Sequence, residues 1–167
     1  MPESRGERAS FQLSQDLRKK AIEKLKISFF LQFCLPGSPC VYYGDEIGME
    51  GFEDPFNRAY MGDRPHNREI SSFLSEIIAL KNALPALRFG SFQPVIASGD
   101  VFGFYRVHEE ERILCLLNNS NTPYSFYHTG TVLFENKLWQ DDGFCLLPQG
   151  MAVVKMPPVH KQEASSI

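Results

Sequence analysis

Regular patterning begins near residue 17. Apolar side chains recur at Ala21, Ile22, Leu25, Phe29 and Phe33, while Arg18, Lys19, Lys20, Glu23, Lys24 and Lys26 lie on the other face. That 3.6-residue period predicts an amphipathic helix over residues 17–33. Pro36 biases the residue before it away from helix and Pro39 lacks an amide hydrogen, so the helix stops there. Cys40, Val41, Tyr42 and Tyr43 form a short apolar and aromatic run, which reads as a buried strand closed by Gly44. A second helical face follows at Ile70, Phe73, Leu74, Ile77 and Ile78, with Pro85 terminating it soon after Leu84. Between strand and helix, residues 44–67 contain six glycines and prolines, Gly44, Gly48, Gly51, Pro55, Gly62 and Pro65, and no sustained period of either kind. Loops of that length inside compact domains are usually functional.

Beyond Arg88 the pattern changes to short alternating or apolar runs at residues 101–107, 112–117, 124–127, 131–134 and 151–155. Turn chemistry separates them at residues 98–100, 118–121 and 148–150. Five or more strands at that spacing predict an antiparallel β-sandwich. The chain therefore divides, on pattern alone, into an α/β unit over residues 1–90, an all-β domain over residues 91–157 and a frayed tail at 158–167.

Composition narrows the class. A chain of 167 residues, 43% hydrophobic and 22% charged, is an ordinary globular mixture. Lys+Arg 17 against Asp+Glu 20 leaves a net charge of -3 and no basic stripe, so no nucleic-acid partner is expected. The longest apolar stretch, residues 27–34, is interrupted by Ser28 and Gln32 and falls short of the roughly 20 residues that span a bilayer. No membrane association is expected. Residues 1–8 are charged and lack the apolar core of a secretory signal, which makes a cytoplasmic location the expectation. Cys34, Cys40, Cys115 and Cys145 show no C-x-x-C spacing and sit among apolar neighbours, as buried free thiols do.

The candidate chemistry lies in the central loop. Asp45 and Glu46 are adjacent, and adjacent residues at a strand end point to opposite faces, which suits tying down a loop better than flanking one reacting carbon. Asp54 and Arg58 are spaced to face the same side of one turn. A carboxylate beside a guanidinium fork binds vicinal sugar hydroxyls well, and it also describes an ordinary surface ion pair. Tyr42 and Tyr43 are suited to stacking on a sugar ring or filling a core. Trp139, beside Asp141, Asp142 and Gly143, reads as a satellite-core residue or a sugar platform. His66, His108, His128 and His160 are scattered without metal-ligand spacing and read as exposed loop or strand residues. No cluster of oxygen ligands suited to calcium is visible, and no metal or cofactor is expected.

The string LPGSPCVYYGDEIGMEG at residues 35–51 closely resembles the eighth-strand motif of the α-amylase family. DPFNR at residues 54–58 resembles its continuation in neopullulanases, cyclomaltodextrinases and related α-glycosidases. Residues 67–88, with IALK at 78–81 and LPALR at 84–88, look like that family's eighth barrel helix and its exit, and residues 112–154 resemble the sandwich that follows the barrel. The resemblance implies the last βα portion of a (β/α)8 barrel followed by an antiparallel β-sandwich, an α/β plus all-β arrangement. It implies hydrolysis of α-glucosidic bonds in maltodextrin-like or cyclic glucans by a retaining mechanism, with an α-glucan oligosaccharide as partner. By similarity, Asp54 and Arg58 match a pair that contacts a glucose unit, while Tyr43, Gly44, Asp45 and Glu46 match a loop that shapes the site without performing the chemistry. The family's three catalytic carboxylates follow the fourth, fifth and seventh strands, and residues 1–32 lack the His-Asp pair that marks the last of these. No residue of this chain is therefore expected to be catalytic. The alternative is a non-catalytic carbohydrate-binding or interaction module built on the sandwich. Residues 62–65 depart from the tryptophan-containing segment that relatives often carry.

Overall fold

A computed structural model describes residues 4–62, 66–109, 111–140 and 144–157, so the expected tail at 158–167 lies outside the described residues. The chain forms two compact units. The first runs through Phe33 and resumes from Ser38 to Ala79; the second takes Cys34–Gly37 and continues from Leu80. The change of pattern at Gly90 marks where the strands begin, whereas compactness divides the chain inside the second long helix.

The first unit is helical. α1 (Arg5–Ala9) opens with a capping box, in which the Ser4 hydroxyl accepts from the Glu7 amide and the Glu7 carboxylate accepts from the Ser4 amide. α2 (Gln15–Cys34) and α3 (Arg68–Ala83) follow the predicted periods. Ile22, Phe29, Phe30 and Phe33 of α2 are buried, as are Ile70, Phe73, Leu74 and Ile77 of α3. Two expectations need correction here. Ala21 and Ile78 face solvent, and Lys26, assigned to the polar face, is buried. Its ammonium lies between the carboxylates of Glu23 and Glu69 and over the Phe73 ring, so the stem fills apolar space while the charge keeps partners.

The larger correction concerns residues 40–43, which form no strand. A strand needs a neighbour to take its amide and carbonyl groups, and this unit has no sheet among its described residues. The segment is pinned instead by the Gln32 side chain, whose Nε2 donates to the Cys40 carbonyl at 2.8 Å. Cys40 is exposed accordingly, whereas Cys34 and Cys115 are the buried free thiols expected; Cys145 is half-buried.

The second unit is built on a six-stranded antiparallel sheet: β1 (Ser91–Ser98), β2 (Val101–His108), β3 (Glu111–Asn118), β4 (Tyr124–Phe126), β5 (Thr131–Gln140) and β6 (Phe144–Lys155). The order is β1-β2-β3-β6, and β6 is the hub. Its end, Met151–Lys155, pairs with β3, its start pairs with β4, and β5 runs along its other edge. One face gathers Leu114, Leu116, Leu146, Ala152 and Val154 into a core against Ile96, Tyr105, Phe126, Val132 and Leu138. The other face carries Phe104, Arg106, Ile113, Cys115 and Val153, all buried, with α4 (Pro85–Phe89) packed on β2 and β3. Pro85, expected only to end a helix, also begins one: it stands at the first turn of α4, where a missing amide costs nothing. The Pro148-Gln149-Gly150 segment was expected to be a turn and stays within β6, with Gln149 at φ 61°.

Two of the polar residues buried in this unit, Arg106 and Asn118, are each held by more than one hydrogen bond, although Arg106 Nε has no partner. Arg106 donates from one terminal nitrogen to the Cys34 carbonyl at 2.7 Å and from the other to the Gly90 carbonyl at 2.8 Å. Asn118, with no exposure, donates to the carbonyls of Thr122, Leu146 and Leu147 and accepts from the amide and hydroxyl of Ser120. Removing that amide strands several buried groups at once, so Asn118→Ala is expected to cost about 2–4 kcal/mol. The neighbouring exposed Asn119→Ala should stay within about 0.5 kcal/mol. Urea unfolding of the full chain measures both, and equal midpoints for the two variants would contradict this assignment.

Candidate functional site

Tyr42 and Tyr43 stand at the head of the loop. Both are exposed, their ring centroids lie 4.7 Å apart at 40°, and the Tyr43 hydroxyl donates to the Ala59 carbonyl at 3.4 Å. Of the two roles open to them, core filling is excluded by that exposure. The chain then turns sharply through a short 3-10 helix, Asp45–Ile47, bounded by Gly44 at φ 95° and Gly48 at φ 65°. Only glycine holds such angles without strain. A side chain at Gly44 would also press on Met49, at 3.0 Å.

Glu46 ties the turn down. Its Oε2 accepts from the Gly44 amide at 2.7 Å, and its carbonyl accepts from the Ser71 hydroxyl of α3 at 2.8 Å. Burial pushes the Asp45 carboxyl upward, and the neighbouring Glu46 charge adds to the shift. The pair thus sits as a loop anchor and a partly desolvated neighbour.

Asp54 and Arg58 meet as the spacing suggests. Arg58 Nε lies 3.0 Å from Asp54 Oδ1, across a second 3-10 helix, Phe56–Arg58, and both side chains are mostly exposed. As an ion pair it adds little stability at such exposure. As a recognition element it offers fixed donors and acceptors to solvent.

Two further ion pairs in this loop escaped the sequence reading. Glu50 accepts from the Leu13 amide at 2.7 Å and lies 3.0 Å from Arg18, and Glu53 pairs with Arg8. Their members are more than thirty positions apart, and no local pattern links them. Elsewhere, Trp139 is exposed on β5 and belongs to no core, while Asp141, Asp142 and Gly143 lie outside the described residues. His66 is exposed as expected and His108 is half-buried; His160 lies outside the described residues. His128 is the exception. It is buried with its ring centroid 3.6 Å from that of Phe144, Nδ1 accepts from the Gly130 amide, and burial pushes its pKa below the ordinary imidazole value. Among the described residues no group of three or more His, Cys, Asp or Glu is placed to hold a metal, and no helix is long and apolar enough to cross a membrane.

No family model matches the chain. The class is nevertheless defined by fold and sequence together: the chain is similar to the carboxy-terminal region of α-amylase-family enzymes, its antiparallel sheet matching their terminal β-sandwich and its helices fitting the end of their barrel. Among individual proteins, it is 35% identical over 102 residues to a cyclomaltodextrinase of Thermoanaerobacter pseudethanolicus, a match covering 60% of this chain and 18% of that one. It is 32% identical over 100 residues to neopullulanase 2 of Thermoactinomyces vulgaris, covering 58% and 17%. The structure of an Anoxybacillus α-amylase superposes with a TM-score of 0.71 at 26% identity, covering 85% of this chain and 34% of that one. The chain thus spans less than a fifth of the length of these two sequence relatives.

The Asp45 environment yields a sign that can be checked. A carboxyl whose folded pKa lies above its unfolded value costs nothing at pH below about 4, and its penalty grows as pH rises through the folded value. Asp45→Asn should therefore leave stability unchanged near pH 3 and raise it at pH 7. Thermal unfolding at the two pH values reads this directly, and a variant less stable at pH 7 would show instead that the charge is favourable.

Proposed function

We propose that the chain forms one wall of the substrate site of an α-glucan-hydrolysing glycosidase and carries the sandwich that ends it. Asp54 and Arg58 bind a glucose unit, and Tyr43, Gly44, Asp45 and Glu46 shape the loop beside it. The observation that carries this reading is the solvent-facing Asp54–Arg58 pair at 3.0 Å, on a loop bearing the exposed Tyr42 and Tyr43. Vicinal hydroxyls both donate and accept, and the pair supplies an acceptor and a donor fork side by side. The names of the relatives, a cyclomaltodextrinase and a neopullulanase, support cyclic glucans or pullulan as the substrate class.

The chemistry itself is assigned to carboxylates outside this chain. Retaining hydrolysis needs a nucleophile and an acid about 5–5.5 Å apart on opposite sides of the scissile bond. In the loop, Glu46 is engaged by the Gly44 amide, Glu50 by Leu13 and Arg18, Glu53 by Arg8 and Asp54 by Arg58, roles that suit holding the loop rather than flanking a scissile bond.

The purified chain should accordingly show no turnover of maltodextrins, cyclodextrins or pullulan; turnover abolished by Asp45→Asn would overturn that. In a complete enzyme holding this segment, Arg58→Ala should raise KM for long maltooligosaccharides about tenfold, the worth of one charge-assisted contact, with little effect on the shortest substrates. A KM unchanged across chain lengths would refute the assignment of Arg58.

A further inference from the structure

The function just proposed leaves a buried cluster of the second unit unused. Cys34 and Cys115 are free thiols with no solvent exposure, and the cations Arg106 and Lys81, 1% and 8% exposed, lie beside them. The two cysteines are far apart in sequence, so only the fold brings them together.

Arg106 sets the geometry. It pairs in register with Ile113 while Cys115 pairs with Phe104, which places Arg106 and Cys115 diagonally on one face of β2 and β3. Diagonal neighbours on a sheet face lie within reach of long side chains. One terminal nitrogen of Arg106 donates to the carbonyl of Cys34 itself at 2.7 Å, which fixes Cys34 over the same spot. There the two thiols are hydrogen-bonded to each other. Cys40 is exposed and Cys145 half-buried by contrast.

The charge around this sulfur pair favours the thiolate, the form that reacts. Arg106 bonds through its terminal nitrogens to the Cys34 and Gly90 carbonyls, and its Nε has no partner, so no carboxylate neutralises it. Lys81 donates to the Leu87 carbonyl at 3.2 Å, and its charge reaches both sulfurs. Burial works the other way on Cys115: it pushes that thiol well up, and the hydrogen bond to Cys34 adds to the shift. Cys115 therefore keeps its proton, and the first step falls to Cys34. Complete burial also selects the oxidant. In a close-packed interior a bulky disulfide cannot reach these sulfurs, whereas a peroxide is near water in size.

We propose that Cys34 and Cys115 form a peroxide-sensitive dithiol, which hydrogen peroxide converts to a disulfide joining the last residue of α2 to β3. The Cys34 sulfur attacks one peroxide oxygen and the O–O bond breaks. The departing hydroxide takes the thiol proton and leaves as water, and Cys34 becomes a sulfenic acid. The Cys115 sulfur then attacks the Cys34 sulfur, the S–O bond breaks, and a second water leaves with the Cys115 proton. Two thiols lose two electrons and one peroxide is reduced to two waters.

The test is peptide mapping of the folded full chain, without reductant, at increasing doses of hydrogen peroxide. At the dose that consumes the exposed Cys40, the peptides holding Cys34 and Cys115 should be joined, and dithiothreitol should release them. The joined chain should melt roughly 10 °C above the reduced one, because the bridge closes a loop of about 80 residues. Oxidised glutathione should modify Cys40 and leave Cys34 and Cys115 as thiols. Cys115→Ser should add oxygen to Cys34 without any bridge, and Cys115→Ala serves if the serine variant does not fold. Cys34 and Cys115 still reduced once Cys40 is consumed would overturn the proposal. So would sulfinic acids in place of the bridge, or a bridge from either residue to Cys40 or Cys145. Oxidised glutathione joining the pair would overturn the assignment to a peroxide.

Discussion

The strands β3 and β6 are buried on both faces, and the second unit is organised by that constraint. Every residue of Ile113–Asn118 and of Met151–Val154 is shielded, which is unusual for an antiparallel sheet, whose second face commonly meets water. One face is covered by the sheet's own outer strands, the other by α4 and the residues beside it. Each fully buried aliphatic side chain contributes on the order of 1.5–3 kcal/mol, so the pair dominates the unit's stability. The same burial leaves its polar members to find partners inside the unit, which Arg106 Nε and His128 Nε2 do not. Arg106 finds the carbonyls of Cys34 and Gly90, and Asn118 closes the 118–122 turn around its own amide. Gly103 sits opposite Leu116, where a Cβ would lie 2.8 Å from a leucine methyl, so the closeness of the two strands also restricts residue size.

The first unit is held by different means. Among its described residues it has no sheet, and its loop is tied by carboxylates that accept backbone amides: Glu46 from Gly44 and Glu50 from Leu13. Such bonds fix local geometry while leaving the outward side chains of Tyr43, Asp54 and Arg58 in solvent. On the proposed function, a loop whose backbone is already tied down would lose less freedom when a sugar binds to its exposed polar groups.

Much of this was legible in the sequence where one face of an element carries the core. The helix periods of α2 and α3, the strand β2, the continuous apolar run of β3 and residues 151–155 of β6 follow what burial imposes, while residues 144–150 of β6 were not read as strand. β1 was missed for the converse reason: it is an exposed edge strand, and its Pro94 sits beside a register shift where no ladder amide is required. β5 was read short because bulges after Val132 and Asn136 interrupt its alternation. Residues 40–43 misled in the other direction, since apolar composition is common to a paired strand and to a segment without a pairing partner. At the site, the Asp54–Arg58 pairing was readable because it is local. Glu50–Arg18 and Glu53–Arg8 were not, because only the fold brings them together.

The central functional claim is that sugar is recognised by the loop of the first unit rather than by the sheet. A crystal structure of the full chain soaked with maltohexaose tests it most directly. A glucosyl ring within hydrogen-bonding distance of Asp54 and Arg58 is the predicted result. A ring stacked on Trp139 of the sheet, with the loop empty, would contradict it and identify the chain as a carbohydrate-binding module.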